Sequence, residues 1–322
     1  MTRIVNNCVA LVCLCLFWGQ SLRAADASHS EQIKWGNESV FNEEHNTLGL
    51  FSGVLGGQIV LAGGTSDDYS RWGRNAVCLS ENAGFALYED VLSKPLAYGA
   101  SITLSDGILC IGGRDSSQCY EDVFFVTMQQ GKLNVSEDWP PLPFPLSNAA
   151  GALLDNKVYL FGGRKSVSPS RLSDSFFVLD LSNKSRGWKE LPGYPGCVRE
   201  DAILVVQNNG VSPCLYLLGG QTETEEGLSS CLTDGYVYNP QLGKWSSLGS
   251  DFPKGICAAV ASGANHILLF QKEPEDTQHL KKENALWKYH TITQTLVKLN
   301  VFQVPMTPCK FLTKKPFLRY TR

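Results

Sequence analysis

The chain has 322 residues, 43% of them apolar, with 28 basic and 31 acidic side chains. That length can bury a sizeable core, and 30 glycines with 15 prolines point to a turn-rich fold. The near balance of charge leaves no electrostatic footprint for nucleic acid, so none is expected as a partner.

Residues 1–24 stand apart. Arg3 is followed by the apolar run VNNCVALVCLCLFWG and then by SLRAAD, the layout of a secretory signal peptide with cleavage near Ala24 or Ala25. The run is short for a transmembrane span, and an uncleaved anchor is the competing reading. The predicted destination is therefore secreted or periplasmic, with no membrane association once the leader is removed. Removal leaves 26 basic residues against 31 acidic ones in residues 25–322. Eight cysteines remain in that part, with no C-x-x-C pair to suggest zinc. In an exported protein some can pair, though spacing does not give the connectivity. Cys110 lies inside a strand pattern and reads as a buried small apolar residue.

Residues 31–40 carry QIKWGNESV, a tryptophan strand like GWKEL and KWSSL further along, yet placed before any complete repeat. From residue 49 onward the chain repeats. IVLAGG, ILCIGG, VYLFGG and LYLLGG are four β-rich runs ending in a glycine doublet, with first glycines at Gly63, Gly112, Gly162 and Gly219. Their separations are 49, 50 and 57 residues, and a fifth run, ILLF at 267–270, keeps the strand without the doublet. A period near fifty with a doublet and a later aromatic is the kelch signature of a β-propeller blade. The clearest copy is 145–191, which reads as four short strands: 149–154, 158–161, 176–181 and a last one at Trp188. Blades are predicted at approximately 49–92, 95–139, 145–191, 195–248 and 252–299. Asp122, Asp174, Asp234 and Asn284 precede the third strands and are assigned a structural role there, satisfying loose backbone groups.

An open ring would leave backbone groups unpaired. The orphan strand at 31–40 is therefore predicted to join 301–322 in a last blade built from both termini. That tail holds five basic residues, no acid and no glycine, so the sixth blade is predicted to be incomplete. The expected fold is an all-β, six-bladed kelch-type β-propeller.

In such a ring, ligands bind where loops converge on the channel mouth. Alignment on the doublets places Gly49, Tyr98, Asn148, Asp201 and Cys257 at equivalent positions near one end. Arg199, beside Asp201, can hold a carboxylate with two parallel hydrogen bonds, or form a salt bridge on the rim. Tyr98 and Asn148 can bind sugar hydroxyls or pack the rim. Arg199, Asp201, Tyr98 and Asn148 are the candidate substrate-binding residues. None of the five histidines has metal-ligand spacing, and no hydrolase, phosphate-loop or zinc-protease motif is present, so no metal and no cofactor are expected.

Several segments together carry a family resemblance over residues 31–305: GLFSGVLGGQIVLAGG, PLAYGAS with GILCIGG, GWKELPGYPGCVREDA, TDGYVYNPQLGKW and SGANHILLF. They resemble the cyclically permuted branch of the bacterial N-acetylneuraminate epimerases, the sialic acid mutarotases. The resemblance implies a secreted or periplasmic six-bladed propeller that interconverts the α and β anomers of N-acetylneuraminate without a cofactor. Arg199 matches the arginine of that family's P-G-G-x-R-D-like segment. The family's catalytic glutamate, expected on the sixth blade beyond the P-V-T-T-like VPMTP at 304–308, has no match, since no glutamate follows Glu283. No residue is therefore assigned the catalytic role. The expectation is an exported mutarotase-like protein for a small sugar acid, its activity put in doubt by that missing segment. The alternative is a non-catalytic exported kelch propeller that binds a glycan or a protein. Oligomeric state is not legible in the sequence.

Overall fold

The computed structural model describes residues 48–80, 84–224, 226–272 and 284–302. They form an all-β propeller of five four-stranded antiparallel blades. The first strands, Phe51–Leu55, Ala100–Thr103, Ala150–Leu154, Ile203–Asn208 and Ile256–Ser262, lie against one another in chain order and form the inner wall of the ring. Blade three has strands Ala150–Leu154, Lys157–Phe161, Phe176–Asp180 and Lys189–Glu190, close to the predicted set. Asp155 and Asn156, both in the left-handed region, make its first turn. The outer strand of blade five, Thr295–Phe302, runs past the expected boundary at 299. The N-terminal strand expected at 31–40, the leader, and 303–322 lie outside the described residues.

The core sits between blades rather than at the centre of the ring. Burial patterns such as iBBBB for Lys157–Phe161 show strands covered on both faces, as stacking of sheets requires. One cluster packs Phe51 and Val60 of blade one on Ile108 and Phe124 of blade two. Another packs Phe161 and Phe176 of blade three on Tyr194, Tyr236 and Tyr238 of blade four. The Phe161 and Tyr194 rings meet edge to face, with centroids 4.7 Å apart. Cys110 is 1% exposed, as an apolar core residue should be.

The doublets fasten one blade to the next. The second glycine of blades one to three donates its N–H to a carbonyl in the linker entering the following blade: Gly64 to Leu96, Gly113 to Leu146, Gly163 to Arg199, each at 2.8 Å. Two constraints then demand glycine at the first position. It has a positive φ (71°, 62° and 66° at Gly63, Gly112 and Gly162). A Cβ there would also stand 2.3, 2.2 and 2.6 Å from those same carbonyl oxygens. Inner strands join in a second way, with Ser52 N–H donating to Ser101 Oγ (3.0 Å) and Val54 N–H to Thr103 Oγ1 (3.1 Å). These hydroxyls satisfy donors that an edge strand leaves open.

Among the described residues no helix is long and apolar enough to cross a membrane. Cys257 is disulfide-bonded, while Cys78, Cys110, Cys119, Cys197, Cys214 and Cys231 are free thiols.

Gly112→Ala tests the fastening. Left-handed backbone alone costs a side chain about 1 kcal/mol. Contact with the Leu146 carbonyl should raise the loss to at least about 3 kcal/mol. Gly56→Ala also has positive φ but meets nothing within 4 Å, and should lose only the first amount. Urea unfolding midpoints at unchanged slope measure both; equal losses would overturn the steric account.

Candidate functional site

The residues two positions before the first four inner strands are linked in a hydrogen-bonded chain of their own. Tyr98 N–H donates to the Gly49 carbonyl (2.7 Å), Asn148 N–H to that of Tyr98 (2.6 Å) and Asp201 N–H to that of Asn148 (3.0 Å). All four have left-handed backbone, with φ of 64°, 62°, 55° and 53° at Gly49, Tyr98, Asn148 and Asp201. Glycine, asparagine and aspartate tolerate that region, whereas a tyrosine there is uncommon and strained. The alignment of these four positions in the sequence thus corresponds to a continuous backbone chain across four blades. Cys257, the expected fifth member, lies in the inner strand of blade five, in a disulfide.

Three of the four candidate residues meet at this end. Asn148 Nδ2 donates to Asp201 Oδ1 at 2.9 Å, joining side chains as well as backbones. Tyr98 is 7% exposed and donates its hydroxyl to Tyr69 Oη (3.3 Å), with Trp72 packed edge-on at 6.4 Å. Burial first, then the Tyr69 hydrogen bond, push the Tyr98 phenol well above the usual tyrosine range; the Asp201 charge adds to this and Arg114 opposes it.

The fourth, Arg199, points elsewhere. Its side chain is fully buried, and it pairs with Asp234 rather than Asp201. Nη1 and Nη2 reach the two Asp234 oxygens, each at 2.7 Å, in a bidentate fork. Nε donates to Tyr194 Oη (2.8 Å), and Nη1 also donates to the Gly219 carbonyl (2.9 Å). The plane lies over the Tyr194 and Tyr236 rings, with its carbon 5.0 and 5.5 Å from their centroids. Arg199 is therefore a fastener between the linker into blade four, the second strand of that blade and the start of its third. Asp234 likewise does more than satisfy backbone groups. Burial works against its charge, but the Arg199 hydrogen bonds and charge prevail and hold its carboxyl below the usual range. Asp122 receives a cation in the same way, from Lys94 at 3.0 Å.

The position after each doublet also faces this end, where it bridges to the residue preceding the next-to-last linker position: Thr65 to Leu48, Arg114 to Ala97, Arg164 to Ser147, Gln221 to Glu200. Arg164 is neutralised by Glu200 (Nε to Oε2, 2.9 Å) and by Glu223 (3.0 Å), with Ser170 also in contact. Two short hairpins, Arg164–Ser166 with Arg171–Leu172 and Gln221–Glu223 with Ser229–Cys231, rise here and carry these groups. Sequence reasoning missed Arg114, Arg164 and the aromatic pair Tyr69 and Trp72. The available signal was an arginine after the doublet in GGRD and GGRK. His266 sits at the opposite end of its strand, against His290 at 4.6 Å between ring centroids, and takes no part. Among the described residues no three His, Cys, Asp or Glu gather as a metal-binding group.

Comparison with known proteins bears on the same region. Residues 139–273 match the family model of N-acetylneuraminate epimerase. The N-acetylneuraminate epimerase of Yersinia pestis (strain Pestoides F) is 30% identical over 139 residues, which is 42% of this chain and 33% of that protein. That of Haemophilus influenzae (strain PittEE) is 31% identical over 131 residues, 41% of this chain and 32% of the relative. A kelch domain-containing protein of Vibrio cholerae is 30% identical over 141 residues, 43% of this chain and 36% of the relative. The chain thus spans about a third of the length of the curated relatives it matches. The resemblance to N-acetylneuraminate epimerases is shown over blades three and four and the first hairpin of blade five. Asn148, Arg199, Asp201 and Asp234 fall inside the match, and Tyr98 and Arg114 fall outside it.

Asp234→Asn tests the fastener. Removing one partner of a buried pair costs roughly 3 kcal/mol. Because the folded carboxyl is depressed, its contribution is complete above the unfolded value of about 3.9 and is lost as pH falls through the folded one. The stability gap between wild type and variant should stay constant from pH 7 to about 5 and narrow below about 4. A gap that does not change with pH would show that Asp234 is not the titrating partner.

Proposed function

We propose that this chain is an exported, mutarotase-like propeller that binds a small sugar acid of the N-acetylneuraminate type at the doublet end of the ring and interconverts its anomers. The observation that carries this reading is the Asn148–Asp201 pair. It sets a carboxylate, oriented by an amide, on the convergent loop-bearing end of blades that match the epimerase family. In the proposed reaction Asp201 accepts the proton of the anomeric hydroxyl while an acid protonates the ring oxygen. The bond between anomeric carbon and ring oxygen breaks, giving the open-chain ketone. Rotation about the bond to that carbon and reclosure, with the protons returned, give the other anomer. Asn148 holds the carboxylate in place, and the exposed Tyr69, stacked on the buried Tyr98, offers an aromatic surface to the sugar. Arg199 supports this arrangement from beneath by fixing the linker that presents Asp201. Closure of the ring by strands from both termini, in permuted order, belongs to the same proposal, as does export.

The test is an NMR time course of anomer exchange after release of α-N-acetylneuraminate in the presence of the purified protein lacking its leader. Exchange should exceed the spontaneous rate, and Asp201→Asn should reduce the catalysed part by about a hundredfold, the ordinary share of a general base. Exchange at the spontaneous rate by folded protein would overturn catalysis. Retained sugar binding in that case would identify a non-catalytic binding propeller.

A further inference from the structure

Arg114 is built differently from the other arginines of the site. It follows Gly113, and its backbone bridges Ala97 and Cys119, so it stands beside Tyr98 at the doublet end. Its guanidinium lies over two aromatic faces, 4.6 Å from the Tyr98 centroid and 5.2 Å from that of Trp72. Among the described residues it has no carboxylate partner. It makes one long hydrogen bond, from Nη1 to the Asp115 carbonyl at 3.4 Å, and its buried Nε has no partner. The neighbouring Asp115 carboxylate is turned away, accepting from Ser117 N–H (2.7 Å), Gln118 N–H (2.9 Å) and Tyr120 Oη (2.6 Å). Arg164, the equivalent residue of blade three, is by contrast held by two glutamates. A half-buried arginine stacked on two aromatic rings, with no carboxylate on its guanidinium among the described residues, keeps Nη donors for a ligand.

We propose that Arg114 is the anchor for the carboxylate of the ligand, with Trp72 and the exposed Tyr69 forming the wall against which its carbon face lies. The inference rests on the sugar-acid reading of the site and adds to it the residue that selects an acid over a neutral sugar. The aromatic faces hold the guanidinium plane, so its two Nη groups, outward of the buried Nε, can present two parallel N–H groups to a carboxylate. The placement suits the chemistry. In a 2-keto sugar acid the carboxylate is attached to the anomeric carbon, so its anchor and the proton-transfer group must be near neighbours. Arg114 flanks Tyr98, whose carbonyl binds Asn148, whose amide in turn holds Asp201.

The test is calorimetric titration of the purified protein with three probes: N-acetylneuraminate, the neutral N-acetylmannosamine, and pyruvate as a bare 2-keto carboxylate. Arg114→Met should weaken N-acetylneuraminate and pyruvate at least tenfold and leave N-acetylmannosamine unchanged. Arg114→Lys, which keeps the charge without the fork, should fall between. In case the variants do not fold, the Nε–H resonance of Arg114 in the wild-type protein provides a second readout. It should shift with N-acetylneuraminate and not with N-acetylmannosamine. Unchanged acid affinity in folded Arg114→Met, a resonance that ignores the acid, or no binding of either carboxylate by wild type would each overturn the anchor. The two proposals separate cleanly. Arg114-dependent binding without accelerated anomer exchange keeps the anchor and removes catalysis. Accelerated exchange with KM unchanged in Arg114→Met keeps catalysis and removes the anchor.

Discussion

One backbone hydrogen bond, repeated between blades, governs this molecule. The second glycine of a doublet gives its N–H to the linker that begins the next blade, and the first glycine clears the space that lets the linker carbonyl approach. A bond of this kind is worth only about 1 kcal/mol net. Its larger effect is geometric, since it fixes where each following inner strand starts. The left-handed residues at those starts then fall into contact, and the hydrogen-bonded chain of Gly49, Tyr98, Asn148 and Asp201 results. A side chain on the first glycine would push the linker out and misplace that hydrogen-bonded chain along with it. The doublet end is in this sense a product of the fastening.

The charged groups at that end divide into two kinds. Arg199 with Asp234 and Arg164 with Glu200 and Glu223 are neutralised within the fold, and their hydrogen bonds run between strands and linkers. Buried pairs of this sort contribute little net stability relative to apolar packing, yet their geometry admits few alternatives. Here they set the angles at which linkers and hairpins leave the blades. Arg114 belongs to the second kind, a cation stacked on aromatic rings rather than neutralised by a carboxylate among the described residues. Carboxylate-paired and aromatic-stacked arginines thus sit within one blade of each other.

Much of the architecture was legible because it depends on local patterns. Four doublets at near-constant period, and strands such as VYLFGG with alternating turns, specify blades through φ requirements and β-propensity alone. The equivalence of Tyr98 and Asn148 was legible for the same reason, since both lie 14 residues before the first glycine, whereas Asp201, 18 residues before it, is placed by matching REDAIL to LAYGASI. The partner of Arg199 was not. Asp234 lies 35 residues away, and the contact arises from how a linker crosses a sheet, which no spacing rule encodes. The hairpins at Arg164–Ser166 and Gln221–Glu223 were missed because their residues are polar and only partly buried, without the apolar alternation that marks a strand. Arg114 was overlooked although an arginine follows two doublets, because its significance lies in what fails to pair with it.

The direction of the fastening bears on how the protein is made. Each doublet waits for a carbonyl that comes later in the chain: Gly64 for Leu96, Gly113 for Leu146, Gly163 for Arg199, intervals of 32, 33 and 36 residues. At synthesis rates of roughly 5–20 residues per second, that is a delay of about 2 to 7 s per blade. During each interval the newest blade is still gaining its third and fourth strands and lacks its lock, and its inner edge and one apolar face are uncovered. A nascent propeller of this design therefore carries one unfinished blade at its growing end, and the hazard moves along the chain until the ring closes.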